Sequence, residues 1–286
     1  MFKFLAKKKK DPKAELRNVI GDHDLPSFSG VVMQTLERMR DPRSSPASIA
    51  AVMAADPGLS VRVLKTVNTA AYSMRKKITS LDQAIGLLGL ATVESLVLAV
   101  AVKDALPSTP AQGFDSTRFW HTAARRAATA KALADRLHPA QAAESFTAAL
   151  LQDMAVPVLA TEQLGRYGPL LEHWHNSDDD LAVLEHAEFG WNHPEVGTWM
   201  CDEWALPEPL ACSVGGHHGE VSEGTEGLVS PPAVLLVSHL RESEERTGAD
   251  RLVEAVNEQF GLGTDEVVEL IEDSFDAAEE LAALFR

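Results

Sequence analysis

Apolar positions recur at intervals of three and four residues through almost the whole chain, and no run alternates apolar with polar residues for long enough to suggest a sheet. The pattern predicts an all-α, multi-helical fold. Phe28, Val31, Val32, Leu36 and Met39 form one stripe of a helix over 28–40, which Asp41-Pro42 ends. Ser45-Pro46 and Asp56-Pro57 each place a capping side chain ahead of a proline at the first helical position, and so start the segments 46–55 and 59–68. Ser80 with Gln83 reads as a capping box for 81–88, Gly89 closes that helix, and the next runs over 92–105. Residues 106–113, Leu-Pro-Ser-Thr-Pro-Ala-Gln-Gly, hold two prolines, a glycine and no central apolar anchor, so the chain is expected to divide there. Beyond it, helices are expected over 116–137, 140–153, 158–164, 169–174, 180–189, 194–204 and 208–217. A polar loop follows at 219–230, and then helices over 232–242, 251–260, 265–271 and 277–284. There is no internal repeat of fixed period.

Composition narrows what such a bundle does. At 286 residues and 45% hydrophobic content the chain buries a real core, in one large domain or two modest ones. A formal net charge of −16 opposes a broad nucleic-acid footprint, which needs a Lys/Arg face to displace counterions from phosphates. Arg118, Arg125, Arg126 and Lys131 on one helix are the sole local basic candidates, against the plainer reading of a solvated face beside acids. Two cysteines, Cys201 and Cys212, fit a reducing cytoplasm better than a disulfide framework, and read first as small buried hydrophobes. No apolar run approaches the ~20 residues of a membrane span. Residues 1–20 form a basic tail without a signal-peptide core. Its Phe2, Phe4, Leu5 and Lys7 to Lys10 allow weak contact with an anionic membrane, with disorder as the plainer reading.

Chemistry is suggested by histidine. His186, His193, His217, His218 and His239 lie in the second half, and His217-His218 closes an apolar helix just before Gly219. A ring that caps the last carbonyls explains such a pair as well as metal ligation does. Leu151-Gln152-Asp153-Met154-Ala155-Val156 is more telling. It ends a small-residue helix where a metal-dependent phosphohydrolase would carry Leu-His-Asp-Ile-Gly-Lys. Gln152 stands where an imidazole is needed, and its amide is a poor ligand for a transition metal.

The ordered motifs resemble the HDOD domain. They are Leu25-Pro26, Asp56-Pro57-Gly58-Leu59, Val67-Asn68-Thr69-Ala70, Ile78-Thr79-Ser80 and Leu88-Gly89 in the first half. In the second they are Phe119-Trp120, Leu150-Leu151-Gln152-Asp153, His193-Pro194-Glu195-Val196-Gly197, Trp204-Ala205-Leu206-Pro207 and His217-His218. The resemblance covers roughly residues 20–240 and implies an all-helical regulatory module of bacterial signalling, related to HD and HD-GYP phosphohydrolases. It divides the chain into an N-terminal helical subdomain over 21–106, a linker over 107–115, an HD-like helical subdomain over 116–240 and a helical extension over 241–286. Against the hydrolase pattern, the first metal His falls near Trp120, where His121 is one place out of register and Thr122 takes the slot. Asp153, His193, His217 and His218 match, Gln152 does not, Ala155-Val156 replaces Gly-Lys, and Ser238-His239 supplies no final carboxylate.

A two-metal clamp needs its bridging carboxylate and several imidazoles, so the depleted set predicts no hydrolysis, no metal and no cofactor. In this vestigial site, which also includes Gln152, a buried polar network among Asp153, His193, His217 and His218 ranks first, one weakly held ion second and an active phosphodiesterase third. The expected function is a non-catalytic, cytoplasmic signalling module that binds an unidentified protein, with metal-dependent hydrolysis of a cyclic dinucleotide or nucleotide phosphate as the alternative. No receiver, kinase, GGDEF or EAL segment is seen in the chain, so input is expected through another chain or a small ligand. The partner surface is expected at the junction of the halves, with Arg118, Arg125 and Arg126 as anchors.

Overall fold

In the computed structural model the described residues are 27–285 except 73, 108–112, 178, 220–231, 239 and 241–248, together with Val19 and Leu25. The basic tail, His239 and most of the polar loop lie outside them. The described residues form helices and no strand of a sheet, as the apolar periodicity requires.

The first half is built from α1 (Gly30–Arg40), α2 (Pro46–Met53), α3 (Pro57–Val67), α4 (Leu81–Leu88) and α5 (Leu90–Ala105). The starts of α2, α3 and α4 follow the caps read from sequence, although the expected box at Ser80 is shifted, with Gln83 Oε1 accepting from Thr79 N–H, and α1 has a cap, Ser29, that was not read there. Ser29, Ser45, Asp56 and Ser80 each accept a hydrogen bond from a backbone N–H in the first turn, and at α2 Ser48 returns a bond to complete a capping box. The Asn of Val67-Asn68-Thr69-Ala70 has a definite task. Asn68 Oδ1 accepts from the N–H of Ile78 at 2.8 Å while its Nδ2 donates to the carbonyls of Ile78 at 2.8 Å and Leu64 at 2.6 Å. One amide thereby ties the connection after α3 back onto the helix. α1 packs on α2, α2 on α4, and α3 and α4 both on α5.

The second half is centred on α6 (Ser116–Leu137), whose buried face is largely alanine: Ala123, Ala124, Ala127, Ala128 and Ala130. Small side chains let neighbours approach closely, and α7 (Ala142–Leu151), α13 (Pro232–Val237) and α15 (Thr264–Phe285) all pack against it. Between them run α8 (Ala155–Glu162), α9 (Leu164–His175), α10 (Leu181–Phe189), α11 (His193–Glu203), α12 (Glu208–Gly216) and α14 (Ala249–Phe260). The halves join where α5 meets α7, and a continuous core runs from Val32 in α1 to Ala282 in α15. Cys201 is buried in it, and Cys212 is half-buried and also a free thiol.

Six expected helices differ in extent, the segment 158–164 among them, which runs instead from Ala155 to Glu162. The segment 140–153 ends as helix at Leu151, and Asp153 lies in a tight turn in which Met154 N–H donates to Leu151 and Val156 N–H to Asp153. Pro157, which has no N–H to give, sits in the first turn of the helix that restarts there. Pro169 does not begin a helix; it lies within α9, which starts at Leu164. The segment 232–242 is helical only to Val237. The two expected helices at 265–271 and 277–284 are one, because 272–276 holds no glycine or proline. Ser274 Oγ bonds the carbonyl of Ile271 at 2.7 Å, and Thr129 Oγ1 on α6 at 2.9 Å.

Candidate functional site

The turn after α7 delivers Asp153 to the centre of the second half, and α11 and α12 deliver the histidines. Asn192 and Glu195 close a capping box around the start of α11, which fixes His193 at its first position. Two glycines then let α11 and α12 approach. A side-chain carbon added to Gly197 would lie 2.6 Å from Val214 Cγ1, and one added to Gly215 would collide with Thr198 Oγ1. His217 follows α12 directly, so this close crossing brings it and His218 against His193.

The resulting cluster is tight. His193 Nε2 lies 3.2 Å from His217 Nε2 and 3.1 Å from His218 Nε2. Asp153 Oδ1 stands 3.1 Å from His217 Nε2 and 3.4 Å from His193 Nε2. The opposite ring nitrogens each have a separate partner: His193 Nδ1 meets Glu185 Oε2 at 2.7 Å, His217 Nδ1 the Val214 carbonyl at 2.7 Å, and His218 Nδ1 Asp180 Oδ2 at 2.8 Å. Glu185, fully buried on α10, also accepts from the His193 backbone N–H at 2.6 Å and from the Tyr167 hydroxyl. Asp180 caps α10 with its other oxygen, which accepts from Val183 N–H at 3.2 Å. Arg126, buried on α6, donates to Asp153 Oδ2 and, through Nε, to the Leu240 carbonyl at 2.8 Å.

These neighbours set the protonation states. Burial pushes the Asp153 carboxyl up, but the Arg126 guanidinium and the bonds from His193 and His217 outweigh it and hold the group well below the usual carboxylate range. Burial alone would discharge His193; Glu185 and Asp153 overcome it and raise the imidazole to about 10. His217 lacks a carboxylate on its far nitrogen, and burial takes it down to about 4. Burial and the Glu185 charge together put Tyr167 well above its ordinary range, so its hydroxyl stays a donor.

Of the residues expected at the site, Asp153, His193, His217 and His218 meet at one point. Gln152 is buried beside them but outside the network, and neither atom of its amide has a hydrogen-bond partner. His121 points away to Glu279 on α15 at 3.5 Å, and His186 is exposed on α10. Ser238 is buried and bonds the Leu235 carbonyl at 2.7 Å. The expected arginine face needs correction. Arg126 is 4% exposed and belongs to the site, and Arg125 lies over the Phe275 ring at 4.5 Å. Arg118 and Arg126 both line a cavity of about 320 Å³, with Phe114, Phe119, Trp174, Gln152 and Asp153, and of the two Arg118 is the less buried. Sequence reasoning missed Glu185, Asp180, Tyr167 and Arg126 as members. A readable signal existed for two of them: Glu185 sits one turn from Leu181 and Ala182 on the apolar face of α10, and Arg126 interrupts the alanine face of α6.

The sequence profile of the HDOD domain matches residues 25–220. The chain belongs to the HDOD domain family. Its fold is shared with a solved HDOD domain protein of unknown function from Geobacter sulfurreducens, with a TM-score of 0.72 and 19% identity over 96% of this chain and 95% of that one. A solved structure from Shewanella amazonensis SB2B, whose name includes phosphohydrolase, superposes with a TM-score of 0.72 at 20% identity over 96% and 98% of the two chains. A curated relative is an uncharacterized protein of Treponema pallidum (strain Nichols), 25% identical over 199 residues; these are 68% of this HDOD chain and 38% of that longer protein.

Proposed function

We propose that this HDOD chain is a non-catalytic regulatory module of bacterial signalling that acts, in the cytoplasm, by binding a protein partner. The observation that supports it is the fate of Asp153. In a two-ion phosphohydrolase a carboxylate bridges both ions, and each oxygen takes one. Here Oδ2 is held by the Arg126 guanidinium, and the neighbouring position is an amide, Gln152, rather than an imidazole. A permanent cation of the protein itself stands where a second ion would need a ligand, so the geometry favours a scaffold over a hydrolase. No helix among the described residues is long and apolar enough to cross a membrane.

The partner surface follows the corrected placement of the arginines. The cavity lined by Phe114, Arg118 and Phe119 begins where the expected linker meets α6, and its wall continues through Asp153, Leu171, Trp174 and Leu181 of the second half. A cavity lined by aromatic rings and arginines has the composition of interface hot spots. The alternative reading, hydrolysis of a cyclic dinucleotide or nucleotide phosphate, draws on the word phosphohydrolase in the name of the Shewanella structure.

One experiment separates the two. The purified chain is incubated with cyclic di-GMP, cyclic di-AMP and bis(p-nitrophenyl) phosphate in the presence of Mn²⁺ or Fe²⁺, beside its Asp153→Ala variant. Equal, background turnover by both is expected, and turnover that Asp153→Ala abolishes sinks the proposal. A partner captured with the native chain should be lost on Arg118→Glu while the helical circular dichroism is unchanged.

A further inference from the structure

The hydrogen positions in the histidine cluster lead to a site the proposed function does not require. Glu185, Asp180 and the Val214 carbonyl can only accept hydrogen bonds, so the ring nitrogens facing them, Nδ1 of His193, His218 and His217, must carry the protons. Each neutral ring then presents a bare lone pair at Nε2. All three Nε2 atoms, with the carboxylate oxygen of Asp153, lie within 4.8 Å of one another. With all three rings neutral, four lone pairs face one point with no proton among them to share. A single extra proton on His193 can satisfy one of its three contacts at a time, and it leaves the approach of Asp153 to His217 unbridged.

We infer that His193, His217, His218 and Asp153 bind one divalent transition-metal ion. Ligand spacing agrees: donors about 2.0–2.1 Å from a tetrahedral ion stand roughly 3.3 Å apart, and four of the six donor pairs are separated by 3.1 to 3.4 Å, with all six inside 4.8 Å. Charge agrees as well. With all three rings neutral, as metal ligation requires, Asp153, Asp180 and Glu185 contribute three negative charges and Arg126 one positive, so the centre carries 3 − 1 = 2 negative charges, which one divalent ion cancels in place of the proton that His193 holds without it. The outer contacts are those of ligating imidazoles, each oriented by a carboxylate or a carbonyl on its far nitrogen. Three nitrogens and one oxygen suit Zn²⁺, Co²⁺ or Fe²⁺ rather than Mg²⁺ or Ca²⁺. A cavity of about 20 Å³ beside Asp153, His193 and His218 has room for one water on the ion. Arg126 on Oδ2 limits the site to a single ion. The inference places an ion before a polar network, the opposite of the order expected from sequence.

The ion would cross-link the turn after α7, the start of α11 and the end of α12, which makes it structural or regulatory and independent of hydrolysis. The test uses the full chain without an affinity tag, stripped with chelator and then dialysed against Zn²⁺ or Co²⁺. We expect about one ion per chain by elemental analysis and, with Co²⁺, the visible absorption of a low-coordinate ion. His218→Ala, at the most exposed of the three imidazoles, should abolish the stoichiometric uptake. Glu185→Gln, which keeps shape and hydrogen bonding to His193, should weaken affinity by about 10–100-fold. Circular dichroism confirms that each variant is folded; if His218→Ala is not, Asp180→Asn takes its place, with weakened binding expected. No uptake by the native chain, uptake unchanged in the folded variants, or two ions per chain overturns the inference. Phosphodiesterase turnover is read separately: one ion with turnover would overturn the proposed function alone, and no ion without turnover would overturn this inference alone.

Discussion

Arg126 has two partners through one guanidinium, the Asp153 carboxylate and the Leu240 carbonyl. It therefore ties the middle of α6 to the turn after α7 and to the chain after α13. Removing it leaves a largely buried carboxylate without its countercharge, a change that typically costs about 3–5 kcal/mol. Arg126→Met is expected to lower the unfolding free energy by that amount in urea titrations with chelator present. Adding Asp153→Asn should recover part of the loss, because the orphaned charge is gone. A loss below about 1 kcal/mol for Arg126→Met would mean that the pair contributes little to the fold. The same residue marks the limit of what sequence discloses. Asp153, His193, His217 and His218 were legible because each sits in a short motif whose spacing carries its chemistry. Arg126 to Asp153, Tyr167 to Glu185 and His218 to Asp180 are joined across 27, 18 and 38 positions, and only the packing of α6, α9, α10 and α12 brings them into register. For that reason Arg126 reads as surface charge in the sequence, although it is 4% exposed in the fold.

At the scale of elements, caps and prolines located the helix starts well, since a cap is a local interaction within three residues. Endings were harder. Neither the restart at Ala155 nor the continuity of α15 depends on a residue that punctuates the sequence strongly; both depend on what the neighbouring helices cover. The crossing of α11 on α12 carries the clearest prediction. Gly197 admits Val214 to a distance at which no side-chain carbon fits, 2.6 Å, and the interior there is close-packed, with Val196, Met200 and Val214 buried. Gly197→Ala must push the helices apart or force Val214 off its rotamer, at a cost of about 1–3 kcal/mol. Because His193 and His217 lie on either side of that crossing, the variant should also lose Co²⁺ affinity, while Gly86→Ala, with nothing within 4 Å of the added carbon, should leave it unchanged. Wild-type affinity in a folded Gly197→Ala chain would mean that the crossing does not set the cluster's geometry.

For the molecule as a whole, the open question is whether the C-terminal segment is an appendage or part of the fold. Its expected description was an extension beyond the resemblance, which ends near residue 240, and the profile match ends at residue 220. The contacts point the other way. α15 lies along α6, and Ala277, Ala278, Leu281 and Ala282 join the same core as Val32 and Met53 of the first half. Glu280 reaches further, accepting from the Ala70 N–H at 2.7 Å, so one helix bridges the two halves. The apolar stripe was visible in sequence, but its target was not, because a stripe says that a face is buried and not against what. Leu281 is fully buried, and Leu281→Ala should lower the unfolding free energy by about 2–5 kcal/mol through lost burial and the cavity left behind. Val183→Ser, at a site 66% exposed, is the control and should stay within about 0.5 kcal/mol of wild type. If α15 belongs to the cooperative unit, urea unfolding of Leu281→Ala remains a single transition shifted to lower denaturant. If it is an appendage, the variant instead shows a separate early loss of helix signal, with the main transition where the wild type has it.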